Sequence, residues 1–217
     1  MRTYDTTKLF YDQYVYKLVF TNGLSSIFCN KNLTYARKIL DRLDSAEQAG
    51  KPLAVQRMRR VEPVSVTNFV DAKKLIRFLY NFEDYTLRIE LSKMSIYANS
   101  KEWLTTIKHS VDPNCVLEFW EPSPLQIDKL KPNVLISDSY PGYEYKVTMG
   151  KSKGSPEFAK FAQNNPNLIK AGPILLESCE RKSYVDGFYF FVRDEKTLGL
   201  INLFLSNIRR IDKIVAM

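Results

Sequence analysis

The chain has a single histidine, His109, among its 217 residues. Zinc proteases, and the relaxases and replication initiators of the paired-histidine kind, bind their metal through at least two histidines, so the composition excludes these classes. A lone histidine still permits acid–base catalysis, which leaves a metal-independent endoribonuclease open as an alternative. His109 ends a predicted helix, however, where a cationic side chain complements the helix dipole. We therefore expect no catalytic residue, no metal and no cofactor, and favour a protein that is not an enzyme.

Cysteine and long apolar runs are scarce as well. Cys29, Cys115 and Cys179 are widely spaced and form no C-x-x-C pair, which is typical of reduced, mostly buried thiols in an intracellular protein. No stretch approaches the roughly 20 apolar residues that span a bilayer, and residues 1–5 lack the apolar run of an export signal. We therefore expect a cytoplasmic or otherwise intracellular protein without a membrane partner.

Positive charge is in excess. The chain has 32 lysines and arginines against 24 aspartates and glutamates, a formal net charge of +8. Such an excess favours polyanionic partners, nucleic acid above all, although it also serves solubility. The 13 tyrosines and 13 phenylalanines provide rings for a core and leave some for stacking on bases. The abundance of Lys, Asn, Tyr and Phe would also suit an AT-rich genome such as that of a phage.

One arrangement recurs three times in the sequence: a short apolar run, a polar corner and then a helical pattern. The runs occupy residues 27–30, 96–99 and 190–194, and the helical patterns follow at residues 33–43, 103–107 and 198–205. A repeated supersecondary unit predicts a duplicated fold. Within residues 53–122, and again within residues 141–217, the predicted order is βαββαβ, that of a ferredoxin-like sandwich. We therefore predict an α+β fold of two tandem ferredoxin-like units with antiparallel sheets.

Turn and breaker residues set the predicted boundaries. A hairpin with the turn Asn22-Gly23 and a following helix form a ββα extension over residues 1–52, and residues 123–140 form a linker or insertion. We also predict a capping box of Asn99 and Glu102. The predicted hairpin strands are residues 14–20 and 24–29. The other predicted strands are residues 53–61, 85–91, 94–98, 116–120, 143–149, 174–179, 188–192 and 208–215. The predicted helices are residues 33–43, 68–79, 103–109, 156–163 and 195–205.

Two segments of the second unit suggest contacts with nucleic acid. In the strand after Asp186-Gly187, Phe188 and Phe190 match the two ring positions that RNA-recognition motifs expose on their third strand. A run of four aromatics also suits a buried strand, and this reading stays open. The loop at residues 149–155 lacks the glycine spacing of a P-loop, but its lysines precede a helix N-terminus, where backbone amides attract phosphate.

The basic residues define the predicted binding surface. Arginines of the strand at residues 53–61 and cations of the next helix follow each other in the predicted order, so we expect one continuous basic patch with a counterpart in the second unit. Each of these residues also has the alternative of simple solvation. The candidate nucleic-acid-binding residues are Arg57, Arg59, Arg60, Lys73, Lys74, Arg77, Lys151, Lys153, Phe188, Phe190, Arg209 and Arg210.

These features favour a non-enzymatic protein that binds RNA or single-stranded DNA through a basic patch and a few stacking aromatics. The main alternative is a protein–protein interaction or assembly module, including a viral one. The predicted helix at residues 195–205 is apolar around most of its circumference. This pattern favours packing between the two units or a homo-oligomer contact.

Overall fold

The computed structural model describes residues 1–57, 60–139 and 142–217. These residues form two compact units, the first made of Met1–Thr6 and Gln13–Ser123 and the second of Thr7–Asp12 and Pro124–Met217. Each unit combines helices with a five-stranded sheet and has its own hydrophobic core. The predicted α+β class is therefore confirmed.

The sheet of the first unit has the strand order β1-β7-β2-β6-β5. Its edge strand β1 runs parallel to β7, and the other neighbours are antiparallel. Strands β3 and β4 pair only with each other and form a separate hairpin. In chain order the elements are β1 (Arg2–Asp5), β2 (Tyr16–Thr21), a 3-10 helix (Ser25–Lys31), α1 (Leu33–Gln48), β3 (Ala54–Arg57), β4 (Arg60–Pro63), α2 (Val66–Tyr80), β5 (Tyr85–Glu90), β6 (Lys93–Ala98), α3 (Lys101–Ser110) and β7 (Val116–Glu121).

The sheet of the second unit has the strand order β8-β12-β9-β11-β10. Counted along the chain within each sheet, both sheets therefore have the order first, fifth, second, fourth and third strand. Here too the first strand along the chain, β8, runs parallel to the last one, β12, and the remaining neighbours are antiparallel. In chain order the elements are a 3-10 helix (Ile127–Lys129), β8 (Val134–Ile136), β9 (Tyr145–Met149), α4 (Pro156–Asn164), β10 (Ile169–Ala171), α5 (Pro173–Glu180), β11 (Tyr189–Val192), α6 (Glu195–Ile201) and β12 (Ile208–Val215). The two units thus share one order of sheet neighbours.

Two strands of the first unit were predicted wrongly. Residues 25–29 of the predicted strand lie in the 3-10 helix and Leu24 precedes it, because Leu24, Ile27 and Phe28 have helical spacing and all three are buried. The Asn22 side chain accepts a hydrogen bond from the Leu24 amide and turns the chain into this helix instead of a hairpin. Residues 53–61 are not one strand of a sandwich either. Their polar stretch around Gln56 offers no alternating apolar face, and the chain folds back on itself as β3 and β4.

The central strand of the first sheet is therefore β2, which belongs to the region predicted as a separate extension over residues 1–52. Its Leu18 and Phe20 alternate in sequence and are both buried in the core. The helix after β6 is capped by Ser100, whose hydroxyl accepts a hydrogen bond from the Trp103 amide at 3.1 Å. The predicted cap, Asn99, instead accepts a hydrogen bond from the Val15 amide.

In the second unit, residues 174–179 were predicted as a strand but lie in helix α5. Pro173 occupies the first helical position, where it lacks only an amide that would have no partner, and Leu175 and Cys179 are buried four residues apart. The strand that lies between β9 and β11 along the chain is β10, not residues 174–179, and β8 lies within the stretch predicted as a linker. Helix α6 ends at Ile201, so the predicted helix at residues 195–205 is too long.

The cysteines differ in environment. Cys179 is buried and Cys115 is partly buried, and burial raises the pKa of both thiols. Cys29 is exposed, contrary to the expectation of mostly buried thiols. The reason is local, because the backbone leaves the helical conformation at Cys29, within the 3-10 helix.

Candidate nucleic-acid interface

The predicted basic patch of the first unit has its helical part on α2. Lys73 forms a salt bridge with Asp44 of α1, and its Nζ lies 4.9 Å from the centroid of the Phe69 ring. Lys74 Nζ donates a hydrogen bond of 2.8 Å to the carbonyl oxygen of Ser110. Arg77 is exposed and lines a groove between α1 and α2 that also contains Asp44 and a second carboxylate. Of these three cations, Lys73 is therefore the one that a carboxylate of the described residues neutralises directly.

Two arginines of the strand predicted at residues 53–61 lie in the β3–β4 hairpin. Arg57 of β3 pairs in register with the exposed Arg60 of β4, and Arg59 lies outside the described residues. The hairpin lines a groove with Tyr35 and Ile39 of α1, whereas the groove with α2 contains Arg37, Asp41 and Asp44 of the same helix. These are different sides of α1. The predicted continuous patch is therefore divided by this helix.

Backbone segments that carry cations of the second unit meet at one end of its sheet. The amide of Gly154, beside Lys153, donates to the carbonyl of Ser183, beside Lys182, at 2.8 Å. The side chain of Asn207 donates to the carbonyl of Lys151 at 3.1 Å, two residues before Arg209. These contacts join three loops. We call the basic loop cluster the four cations on or directly beside these loops, which are Lys151, Lys153, Lys182 and, at the start of β12, Arg209.

Most of this charge is not neutralised by a close partner. In the part of the chain that the structure describes, the three lysines of the cluster form no salt bridge, and all three are exposed. Arg209 is exposed and meets Asp186 only at 3.9 Å. Arg210 differs, because it forms ion pairs with Asp12 and with Asp212, the latter at 2.6 Å. Arg209 is therefore the arginine of this predicted pair that can reach a ligand.

The N-terminus of α4 already holds an anion. Ser155 Oγ accepts a hydrogen bond from the Phe158 amide at 3.1 Å, and the Glu157 carboxylate accepts one from Ser155 Oγ at 2.9 Å. A hydrogen bond from the backbone amide of Glu157 and the one from Ser155 lower the pKa of this carboxyl. The predicted phosphate position on this helix is thus occupied by a carboxylate. The cluster must attract anions through its side chains, with four cations against the carboxylates of Glu157 and Asp186.

The predicted stacking residues also have a different arrangement. Phe190 is 0% exposed and packs on Phe158 of α4, with ring centroids 4.8 Å apart, so it cannot stack on a base. Phe188 is partly buried against the same core. The exposed ring of this strand belongs to Tyr189, whose side chain is 49% exposed. Lys146 Nζ lies 4.2 Å from the centroid of this ring.

Sequence reasoning thus missed Lys182 and Tyr189. Lys182 follows α5, and no local pattern shows that this turn meets the loop at residues 150–155. Tyr189 was within the predicted motif, but four consecutive aromatics hide which alternate pair faces the core. The Lys and Gly loop was the one available signal for this end of the unit.

The remaining features considered in the sequence are the single histidine, a possible metal site and a possible membrane helix. His109 is exposed in the last turn of α3. Among the described residues, no three His, Cys, Asp or Glu side chains are grouped so that they could hold a metal ion. Within the same residues, no helix has both the length and the apolar character needed to cross a membrane. No protein-family model, no curated protein sequence and no solved structure matches the chain.

Proposed function

We propose that this chain is a non-enzymatic nucleic-acid-binding protein and that the basic loop cluster is its principal contact with the phosphate backbone. The observation that carries the proposal is the group of three exposed lysines without salt bridges beside Arg209. Clustered cations attract polyanions because binding releases the counterions condensed on the phosphates. The exposed ring of Tyr184 lies within the cluster and pairs through a backbone bridge with Lys153.

We further propose that each unit is a variant of the ferredoxin-like sandwich. Four strands of each sheet support this assignment, in the order β7-β2-β6-β5 and β12-β9-β11-β10, with antiparallel neighbours throughout. Each unit then adds one strand parallel to its last strand. The first unit also adds α1 and the β3–β4 hairpin, and the second adds α5 between β10 and β11.

The direct test is the salt dependence of binding. Fluorescence anisotropy with labelled 20-nucleotide single strands of RNA and DNA, and with a duplex, measures affinity between about 50 and 200 mM salt. The triple variant Lys151→Gln, Lys153→Gln, Lys182→Gln removes three cations. We expect weaker binding and a slope of log affinity against log salt that is less steep by about 2, at roughly 0.7 per lost phosphate contact on a single strand.

A matched control removes the same charge elsewhere in the second unit. Lys131→Gln, Lys160→Gln, Lys196→Gln changes three exposed lysines outside the cluster, and we expect the wild-type slope to persist. Equal weakening by the two triple variants would show that net charge, not the cluster, drives binding. An absence of binding by the wild-type protein to all three probes would refute the function. The triple variant Lys73→Gln, Lys74→Gln, Arg77→Gln, studied in the same salt titration, measures the contribution of the cations on α2.

An exposed apolar segment favours a second candidate, an assembly module. Beyond α6 the side chain of Leu203 is 78% exposed, and Leu200 of the same helix is also exposed, whereas Ile201 and Leu205 are buried in the core. Apolar side chains in such positions are typical of protein contacts. Sedimentation velocity of the wild type and of Leu203→Ser tests it. A monomer at all concentrations would remove this candidate.

A further inference from the structure

A groove of about 440 Å³ lies at the edge of the second sheet, and we call it the edge groove. It is bounded by residues 172–175, where β10 ends and α5 begins, and by residues 186–189, where the chain enters β11. The pairing of β10 with β11 ends at Ala171 and Phe190, so beyond this point the two segments diverge and leave the space open. Its volume is within the range of sites that hold a small organic group.

The lining of the edge groove is mainly apolar and includes two aromatic rings. Ile174, in the first turn of α5, is 67% exposed, and Pro173 lies beside it. Phe188 and Tyr189 form the other side, and Lys146 lies over the Tyr189 ring. A flat aromatic ligand would cover this apolar surface and stack on Tyr189, which is how many proteins hold unpaired bases.

Charges near the edge groove determine how a nucleotide would be oriented. The carboxylate of Asp186 lines the groove and repels a phosphate there. Arg209 lies 3.9 Å from that carboxylate and belongs to the basic loop cluster, so phosphates are attracted just outside the groove. An uncharged base therefore fits inside the edge groove, and the phosphates of the same strand fit along the basic loop cluster.

We propose that the edge groove holds one unpaired nucleobase, stacked on Tyr189, and that the protein therefore selects single-stranded over duplex nucleic acid. This inference rests on the proposed function and adds the structural class of the ligand. In a duplex the bases are paired and stacked on their neighbours, and extracting one costs a few kcal/mol. A single strand offers its bases without that cost. We therefore expect single strands, and not duplexes, to place a base in the groove.

The test uses single-stranded and duplex 20-mers of the same sequence with Tyr189→Ala, Tyr189→Phe and the matched control Tyr35→Ala. Tyr35 is a tyrosine of α1 that is 50% exposed, close to the value for Tyr189, and it belongs neither to the edge groove nor to the basic loop cluster. We expect Tyr189→Ala to weaken single-strand binding by about 5- to 150-fold, the range that corresponds to loss of one stacked base. Tyr189→Phe keeps the ring and should retain the wild-type affinity. Binding of the duplex should change less than twofold in either variant.

A second variant tests the groove without removing the ring. Ile174→Glu places a carboxylate in the groove at an exposed position of the first helical turn, where an acidic residue is compatible with folding. It should weaken single-strand binding as Tyr189→Ala does, with an unchanged circular dichroism spectrum. If the wild type binds single strands and both variants bind equally well, the groove inference is wrong while the proposed function stands. If the wild type binds neither single strands nor duplexes, both fail.

Discussion

Gly154 holds the basic loop cluster together because it allows two backbone segments to approach closely. A Cβ placed on this residue would lie 2.5 Å from Cα of Cys179 and 3.0 Å from the carbonyl oxygen of Ser178, both of which are backbone atoms at the end of α5. Ordinary Cβ contacts begin at 3.4 Å, so one segment must move by about 0.9 Å to accept a methyl group. No side-chain rotation can relieve this contact.

We expect Gly154→Ala to lower the free energy of unfolding by about 1–3 kcal/mol, the usual cost of forcing extra volume into a packed site. The loss of glycine's flexibility in the unfolded chain offsets only about 0.4–1 kcal/mol of that cost. The matched control is Gly199→Ala on α6, where a Cβ meets nothing within 4 Å. There the helical propensity of alanine should raise the free energy of unfolding by roughly 0.5–1 kcal/mol.

Urea unfolding followed by far-ultraviolet circular dichroism measures both changes, and the binding assay with single strands accompanies it. Because the Gly154 amide binds Ser183, displacement of this loop also moves Lys153 away from Lys182. Gly154→Ala should therefore weaken binding at temperatures where the protein is still folded. Equal stability of Gly154→Ala and Gly199→Ala would refute the close approach of the loop to α5, and with it the arrangement of the cluster.

Three further changes test the fold. Leu91 has φ 56° and is 95% exposed, so Leu91→Asn should raise the free energy of unfolding by about 1 kcal/mol in urea titrations, while Leu125→Asn, also exposed, should change it little. Asp194 caps α6, and hydrogen bonds from Thr197, first from its backbone amide, lower the pKa of this carboxyl. The stabilisation of the folded state by the ionised Asp194 cap is therefore present above the unfolded pKa of about 3.9, and it disappears as the pH falls through the lowered pKa of the folded state. The urea midpoints of wild type and Asp194→Ala should accordingly differ at pH 7 and converge in acid. A constant difference over this range would contradict the assignment. Asp212 is buried between Lys8, at 2.6 Å, and an arginine, so Asp212→Ala should cost about 3 kcal/mol in the same titration, and a loss below about 1 kcal/mol would count against a buried pair.

Much of the helical structure could be predicted from the sequence, because local signals determine it. Ser155 followed by Pro156 predicted the start of α4, and the spacing of Phe69, Ala72 and Ile76 predicted α2. The strands β5 and β6 followed from alternation and a short corner. In each case, the side chains that determine the element lie within a few residues of one another.

The errors occurred where a local pattern allowed two structures. The segment of α5 is short and apolar, and such a run suits a buried strand as well as a helix. Good strand formers precede and follow the basic stretch that ends at Arg60, but only the tertiary fold shows that β3 and β4 pair with each other as a hairpin and that β2 takes the central place in the sheet. Strand neighbours distant in sequence decided these cases.

By itself the sequence determined the α+β class, most helix positions and the excess of positive charge, because these depend on composition and short-range periodicity. The tertiary structure alone decided which cations are free. Lys73 and Arg210 form ion pairs with carboxylates. Lys151, Lys153 and Lys182 lie on two loops that are about 30 residues apart in sequence and are joined by a backbone hydrogen bond. It also decided that Tyr189 and not Phe190 faces outward. A strand shifts all its side chains to the opposite face with a register change of one residue, and only packing against the helices selects the register.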